Sequence, residues 1–302
     1  MQIIKYKKFY ILFSLLLLVP GVISLAVFKL NLSVDFTGGS VFKYEIKTEN
    51  QNNIVIENTL KSIFKDKEVV VESVMYDQSN IIVFRTKSVT SQKNDEIRTE
   101  LSTKLNYLSQ ISFETVGPSV GKETTRKAFL SVFIASFGIL LYIAYAFRNV
   151  PKPYSSFRFG VSAIIAMLHD AFVVLGIFSL LGHFLKVEID ALFITAILTV
   201  IGFSVHDTIV VFDRIRENLN KLPKSWKFSE VVNYSIVETL NRSMATSLTV
   251  ITTLLALFIL GGSSIRYFVL ALLIGIISGT YSSIFTAAPI LVYWEEFKLR
   301  KK

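Results

Sequence analysis

Apolar positions in this chain gather into six long blocks, at 9 to 29, 126 to 147, 159 to 181, 189 to 212, 243 to 261 and 265 to 293. Charged residues lie almost wholly between them. A helix needs about 20 residues to cross a hydrocarbon core, so each block is read as a transmembrane helix. Residues 30 to 125 follow a different rhythm. Positions 41 to 46 alternate apolar and polar like a half-buried strand, and 53 to 64 set Ile56, Leu60, Ile63 and Phe64 at helical spacing. Strands are predicted at 69 to 75 and 81 to 84, joined through the turn formers Asp77-Gln78-Ser79-Asn80. A second helix at 96 to 108 carries Ile97, Leu101, Leu105 and Leu108 on one face, and a last strand covers 111 to 116.

The order β-α-β-β-α-β is that of the split βαβ, ferredoxin-like arrangement. The fold class expected is therefore an α-helical polytopic membrane protein of six transmembrane helices with an inserted α+β, ferredoxin-like extracytoplasmic domain. Its parts are transmembrane helix 1 at 9-29, the inserted domain at 30-125, transmembrane helices 2 to 6 at 126-293, and a cytoplasmic loop at 213-242. A start at Trp226 and Phe228 makes 225 to 240 a candidate interfacial helix. The lysine-rich start and Ser24-Leu25-Ala26 also resemble a signal peptide, but the apolar run of 9 to 28 exceeds the usual h-region of about 7 to 15 residues.

Composition agrees: 52% of the 302 residues are hydrophobic and 18% charged, below the roughly 25% of soluble domains. The net charge of +9 would point to nucleic acid in a soluble protein. Here Lys5, Lys7, Lys8, Arg148, Lys152, Arg158, Arg214, Arg216, Lys221, Lys224 and Lys227, with Lys298, Arg300, Lys301 and Lys302, mark one side of the membrane. The short connections near 182 to 188 and 262 to 266 hold only Lys186 and Arg266, and the lysines of the long segment 30 to 125 do not count against this because long segments translocate largely regardless of charge. Positive loops stay in the cytoplasm, which puts both termini inside and makes lipid, not nucleic acid, the expected partner. With no cysteine, disulfides and thiolate metal sites are excluded.

Candidate chemistry sits inside the blocks. Asp or Arg at a helix centre costs about 2.5 to 3.5 kcal/mol even on the lenient insertion scale. Block three contains His169-Asp170, and block four His206-Asp207, with Asp207 roughly 10 Å below Asp213. Ala196, Val200, Phe203, Ser204, Asp207, Val211 and Arg214 share a face of block four, beside a small-residue seam of Thr195, Thr199, Gly202 and His206. Ser162, Ala166 and Asp170 share a face of block three. Arg242, Thr246, Thr249, Thr253 and Ala256 share one of block five, from which Arg242 either reaches Asp207 or turns to water. Block six offers Ala271, Gly275 and Gly279 for close packing. A carboxylate at the depth of Asp207 points to binding and release of a cation, and movement of Arg242 would switch its protonation. His169-Asp170 reads either as a hydrogen-bonding pair or as part of a proton relay. One charge falling through 100 mV supplies about 2.3 kcal/mol, so roughly two protons shift a conformational equilibrium from 1:99 to 99:1.

Several stretches together resemble the SecD/SecF branch of the resistance-nodulation-division transporters, on its SecF side. Val34-Asp35-Phe36-Thr37-Gly38-Gly39-Ser40 is similar to the DFTGG signature, and Thr115-Val116-Gly117-Pro118 with Gly121 to the second signature. Leu168-His169-Asp170, the run from Gly202 to Asn218 including His206-Asp207-Thr208 and Asp213-Arg214-Ile215-Arg216-Glu217-Asn218, Asn241-Arg242-Ser243 and Gly261-Gly262 complete the set. The resemblance implies pairing with a SecD-like subunit in a pseudo-twofold arrangement. It also implies use of the proton-motive force in the bacterial inner membrane, late in preprotein translocation through the SecYEG channel. It puts Asp207 and Arg242 at positions of proton conduction, with no cofactor and no metal. His206 departs from the small polar residue expected there, and it either joins the relay or simply packs.

A free-standing drug or lipid transporter would carry a second half in the same chain. A zinc enzyme built on the two His-Asp pairs lacks a His-Glu-x-x-His helix, and no G-x-x-x-x-G-K-[ST] loop is present for ATP. A purely structural subunit would tolerate loss of Asp207.

Overall fold

In the computed structural model, which describes residues 1–47, 53–77, 81–105 and 108–299, ten α-helices and four strands follow one another along the chain. They are α1 Lys7–Phe28, α2 Val34–Thr37, β1 Gly39–Ile46, α3 Asn53–Asp66, β2 Val71–Asp77, β3 Ile81–Thr86, α4 Ser91–Lys104 and β4 Leu108–Val116. Then come α5 Pro118–Ala146, α6 Ser156–Leu185, α7 Ala191–Lys221, α8 Phe228–Leu260, α9 Arg266–Ser282, a π turn Ser283–Ala287 and α10 Ala288–Leu299. The chain divides into a helical unit, Met1–Asn31 with Leu130–Lys302, and an α+β unit, Leu32–Phe129.

Among the described residues six helices are long and apolar enough to cross a membrane, the last running through the π turn. Burial separates them. Half of the apolar stretch is buried in each of α6 and α7 and more of it in the last span, but almost none in α5. Helices α6, α7 and α9 thus form the centre. Small residues bring it together: a Cβ on Gly275 would lie 2.1 Å from Val200 Cγ2, and one on Gly279 would lie 3.2 Å from Ser204 Cβ. Helix α1 crosses α6 where Gly21 meets Gly176, and Ser24 Oγ donates to Ser179 Oγ at 2.9 Å.

Polar extensions lengthen two spans beyond their apolar blocks. α5 starts at Pro118, a residue suited to a first helical position, and its polar first turns carry a Lys127–Glu123 pair at 2.7 Å. The stretch 213 to 242, read as a loop, is helical except for 222 to 227. Pairs Arg216–Asp213 and Lys221–Glu217, at 2.6 and 2.5 Å, lace α7 across successive turns, and Arg214 binds Glu217 and Glu238. No separate interfacial helix exists at 225 to 240, because Phe228 opens α8 directly.

In the α+β unit the strands pair antiparallel in the order β2-β3-β1-β4, with α3 and α4 covering one face. Phe42, Tyr44, Phe64, Phe84, Ile97 and Leu101 fill the core between. β2 begins two residues later than read because the α3 exit turn, with Glu68 at φ 59° and the Val69 N–H on Phe64 O, consumes those residues. α4 begins five residues earlier, at its Thr90 cap, whose hydroxyl accepts from Lys93 N. The turn expected at 78 to 80 lies outside the described residues, as do Arg300, Lys301 and Lys302. Gly38 and Gly39 adopt φ of 72° and 129°, which only glycine takes without strain. A Cβ on Gly121 would come within 2.7 Å of Gly38 N, so the two glycine signatures fit against each other.

Candidate functional site

Helix α6 sets Asp170 fully out of solvent, and four donors converge on it. Ser278 Oγ donates to Oδ1 at 2.7 Å, and His169 Nδ1 donates to the same oxygen at 3.0 Å. Ser204 Oγ and Ser282 Oγ each donate to Oδ2 at 2.5 Å. An ionised carboxylate offers about four acceptor sites, so Asp170 is saturated. Ser278 and Ser282 are one turn apart on α9 and clamp it to α6, while Ser204 brings in α7.

Asp207, one turn beyond Ser204 on α7, is also buried, but among the described residues it takes two hydroxyl donors. Ser243 Oγ on α8 donates to Oδ1 at 2.7 Å, and Ser283 Oγ, the first residue of the π turn, donates to Oδ2 at 2.8 Å. Half of its acceptor capacity is left for a proton or a hydrogen-bond donor. The pair His169 and Asp170 is thus brought together with Asp207 through Ser204 and the neighbours Ser282 and Ser283.

Arg242 and His206 are not brought to that centre. Ser243 and Ser247 present the inner face of α8, and one residue's rotation carries Arg242 to the exposed side, with Thr246, Thr249, Thr253 and Ala256. Among the described residues no ion pair involves Arg242. His206 is exposed, as are Thr195, Thr199 and Gly202, so the small-residue seam of α7 is left uncovered among the described residues. The seam and the Arg242 face form a polar stripe on two membrane spans. The Nε2 atom of His169 is buried and meets no hydrogen-bond partner among the described residues. No group of three or more His, Asp or Glu side chains among them converges as a metal site.

Sequence reasoning missed Ser278, Ser282 and Ser283. The available signal was Ser278-x-x-x-Ser282-Ser283 at helical spacing inside an apolar block. It also took Arg158 for a side marker. Arg158 is buried, and its guanidinium grips Glu295 of α10.

The family described as Protein export membrane protein SecD/SecF, C-terminal, matches residues 96–297, and the SecD/SecF GG Motif matches residues 23–49. This chain belongs to the SecD/SecF family. Protein translocase subunit SecF of Thermobaculum terrenum is 46% identical over 97% of this chain and 94% of its own length. Protein translocase subunit SecDF of Bacillus subtilis is 37% identical over 98% of this chain, which spans only 38% of that protein. The crystal structure of SecDF, a translocon-associated membrane protein from a Thermus species, superposes with a TM-score of 0.81 at 33% identity. It covers 98% of this chain, which spans 39% of the SecDF chain. In this chain Gly38, Gly39 and Gly121 pack closely within the α+β unit, and Asp170, Asp207 and Ser243 lie in the buried carboxylate centre.

Proposed function

We propose that this chain is an auxiliary subunit of the bacterial Sec preprotein translocase. With a SecD-like subunit beside the SecYEG channel, it uses the proton-motive force to complete translocation of preproteins across, or their release from, the inner membrane. Both termini lie in the cytoplasm in this reading, following the positive loops. The observation that carries it is Asp207, a buried carboxylate on a membrane span with two hydroxyl donors and acceptor capacity to spare. Such a group is expensive in a membrane unless it binds and releases a cation.

In this mechanism Asp207 is the proton carrier, and Asp170 with His169 is the neighbouring station, His169 Nε2 being a buried acceptor beside it. Arg242 and His206 belong to the polar stripe on α7 and α8. Exposed polar groups at that depth face protein rather than lipid, and the SecD-like subunit covers them. Relatives in which SecD and SecF form a single SecDF chain support that pairing. A side chain of opposite charge on the partner meets Arg242, and exchange of Arg242 between that group and Asp207 couples protonation to movement of the two halves.

The test is proton-gradient-stimulated completion of preprotein export in vesicles holding this chain and its SecD-like subunit, native against Asp207→Asn. Loss of the stimulation with intact complex is expected. Stimulation that persists would move the role to Asp170, or leave the chain a purely structural one.

A further inference from the structure

Ser282 and Ser283 are neighbours in sequence, yet they bind different carboxylates, Asp170 at 2.5 Å and Asp207 at 2.8 Å. The regular helix ends between them. α9 stops at Ser282 and the π turn starts at Ser283, two residues before Phe285 and six before Pro289. Proline has no N–H for the Phe285 carbonyl, and the wider turn accommodates that loss. The turn is also pinned on its far side. Glu295 on α10 is gripped by buried Arg158, and Asp170 fixes α9 through Ser278 and Ser282. One surplus residue is therefore stored between two fixed points, and Ser283 is the side chain that ties it to Asp207.

The outer residues of the turn lie on α1. Thr286 and Ser14 share a 2.6 Å hydrogen bond, both buried. The Phe285 ring packs 4.7 Å from Tyr10, and the Tyr281 hydroxyl donates to Tyr10 O at 3.1 Å. α1 is the helix that leads in the chain to the α+β unit.

We propose that the π turn Ser283–Ala287 carries the protonation state of Asp207 to α1. The ionised carboxylate holds Ser283 by a charge-assisted bond, roughly twice as strong as a neutral one, and so holds the π register. A proton on Asp207 weakens the bond, the turn relaxes toward α register, and Phe285 and Thr286 leave α1. Of the titratable groups on the packed helices, Asp170 and His169 on α6 share the buried centre, Arg242 on α8 is exposed beside Ser243, and Glu238 on α8 is taken up by Arg214. On α9 the titratable group is Tyr281, whose hydroxyl is turned to α1. The two registers supply the bistable element that a coupling claim requires. Ser283 is thus a positioning residue, and the inference rests on Asp207 being the proton carrier.

The chain has no cysteine, so proximity is read by oxidative cross-linking of Ser14→Cys with Thr286→Cys in membranes containing the full chain and its SecD-like subunit, at one fixed pH. Asp207→Asn and Ser283→Ala are each expected to lower the cross-linking rate about fivefold, the population change produced by about 1 kcal/mol. Ser283→Thr, which keeps the hydroxyl, is expected to retain the native rate. A native rate in Ser283→Ala, or an equal fall in Ser283→Thr, overturns the proposal. If Asp207→Asn abolishes gradient-stimulated export while its cross-linking stays native, the transmission fails and the export reading stands. If Asp207→Asn exports normally while Ser283→Ala loses the cross-link, the export reading fails and the link from the turn to α1 stands.

Discussion

Arg158 and Glu295 meet through two parallel contacts: Nε lies 2.7 Å from Oε1 and Nη2 lies 2.7 Å from Oε2. The side chains are 8% and 1% exposed, and Ser155 N donates to the same carboxylate at 3.2 Å. The pair closes the first turn of α6 onto α10, and the buried Glu295 charge, after desolvation, raises the pKa of the Tyr154 hydroxyl. Breaking such a pair from one side leaves a buried charge alone and costs about 3 to 5 kcal/mol, whereas replacing both partners by apolar residues is often neutral. Arg158→Ala should therefore lower thermal stability in detergent sharply, and Arg158→Met with Glu295→Leu should restore most of it. Equal damage from the single and the double change would show that the pair does not act as a unit.

Gly176 and Gly21 define the closest approach of α1 and α6. A Cβ on Gly176 would lie 2.3 Å from Gly21 Cα, a backbone atom that cannot rotate away, while a Cβ on Gly21 would lie 3.2 Å from Gly176 Cα. Overpacking costs about 1 to 3 kcal/mol. Gly176→Ala should sit at the top of that range and Gly21→Ala at the bottom, as read by the unfolding temperatures of the two variants. The reverse order would mean that the helices separate rather than clash.

Tyr44 sends its hydroxyl into the core of the α+β unit, where no described residue offers a hydrogen bond. An unpaired buried polar group costs about 1 to 3 kcal/mol, so Tyr44→Phe should slow amide exchange in β1 and β4 by about that free energy. Burial also pushes the Tyr44 hydroxyl well above its ordinary pKa of about 10. The folded state favours the neutral phenol, so this contribution to stability is complete below pH about 10 and is lost as pH rises beyond it. The native unit should weaken in that alkaline window, and Tyr44→Phe should weaken less. Identical alkaline profiles would exclude Tyr44 as the titrating group.

The spans were legible in the sequence because a membrane helix has to be apolar over its whole length. The strands were legible because one face of the sheet packs under α3 and α4. Helix ends were less so. The polar extensions of α5, α7 and α8 are held by capping and by i,i+4 ion pairs, which carry no apolar signature. Asp170 and Asp207 stood out as charges in apolar blocks, but their serine donors did not, since a small residue in a helix interior reads equally as a packing position. The side on which Arg242 lies was undecided because one residue turns a helix by about 100°, and Ser243 takes the inner side. Arg158 and Glu295 are 137 residues apart in the chain, and nothing local joins them.

Asp170 and Asp207 should separate cleanly when each is truncated. Asp170→Ala strands three serine hydroxyls and the His169 ring N–H in a fully buried site. Some of those donors can turn back to helix carbonyls, as Ser282 Oγ already lies 3.3 Å from Gly279 O. The remainder costs about 2 to 4 kcal/mol. Among the described residues Asp207→Ala strands only Ser243 and Ser283, and Ser283 Oγ has Thr280 O at 3.2 Å as an alternative. Its cost should stay near about 1 kcal/mol. Asp170→Ala is thus expected to reduce accumulation and unfolding temperature, while Asp207→Ala leaves both close to native and removes the stimulation by a proton gradient. A stable Asp170→Ala would mean that α6, α7 and α9 are held by their glycine contacts alone. The carboxylate would then have to be explained by the ion it handles rather than by the helices it joins.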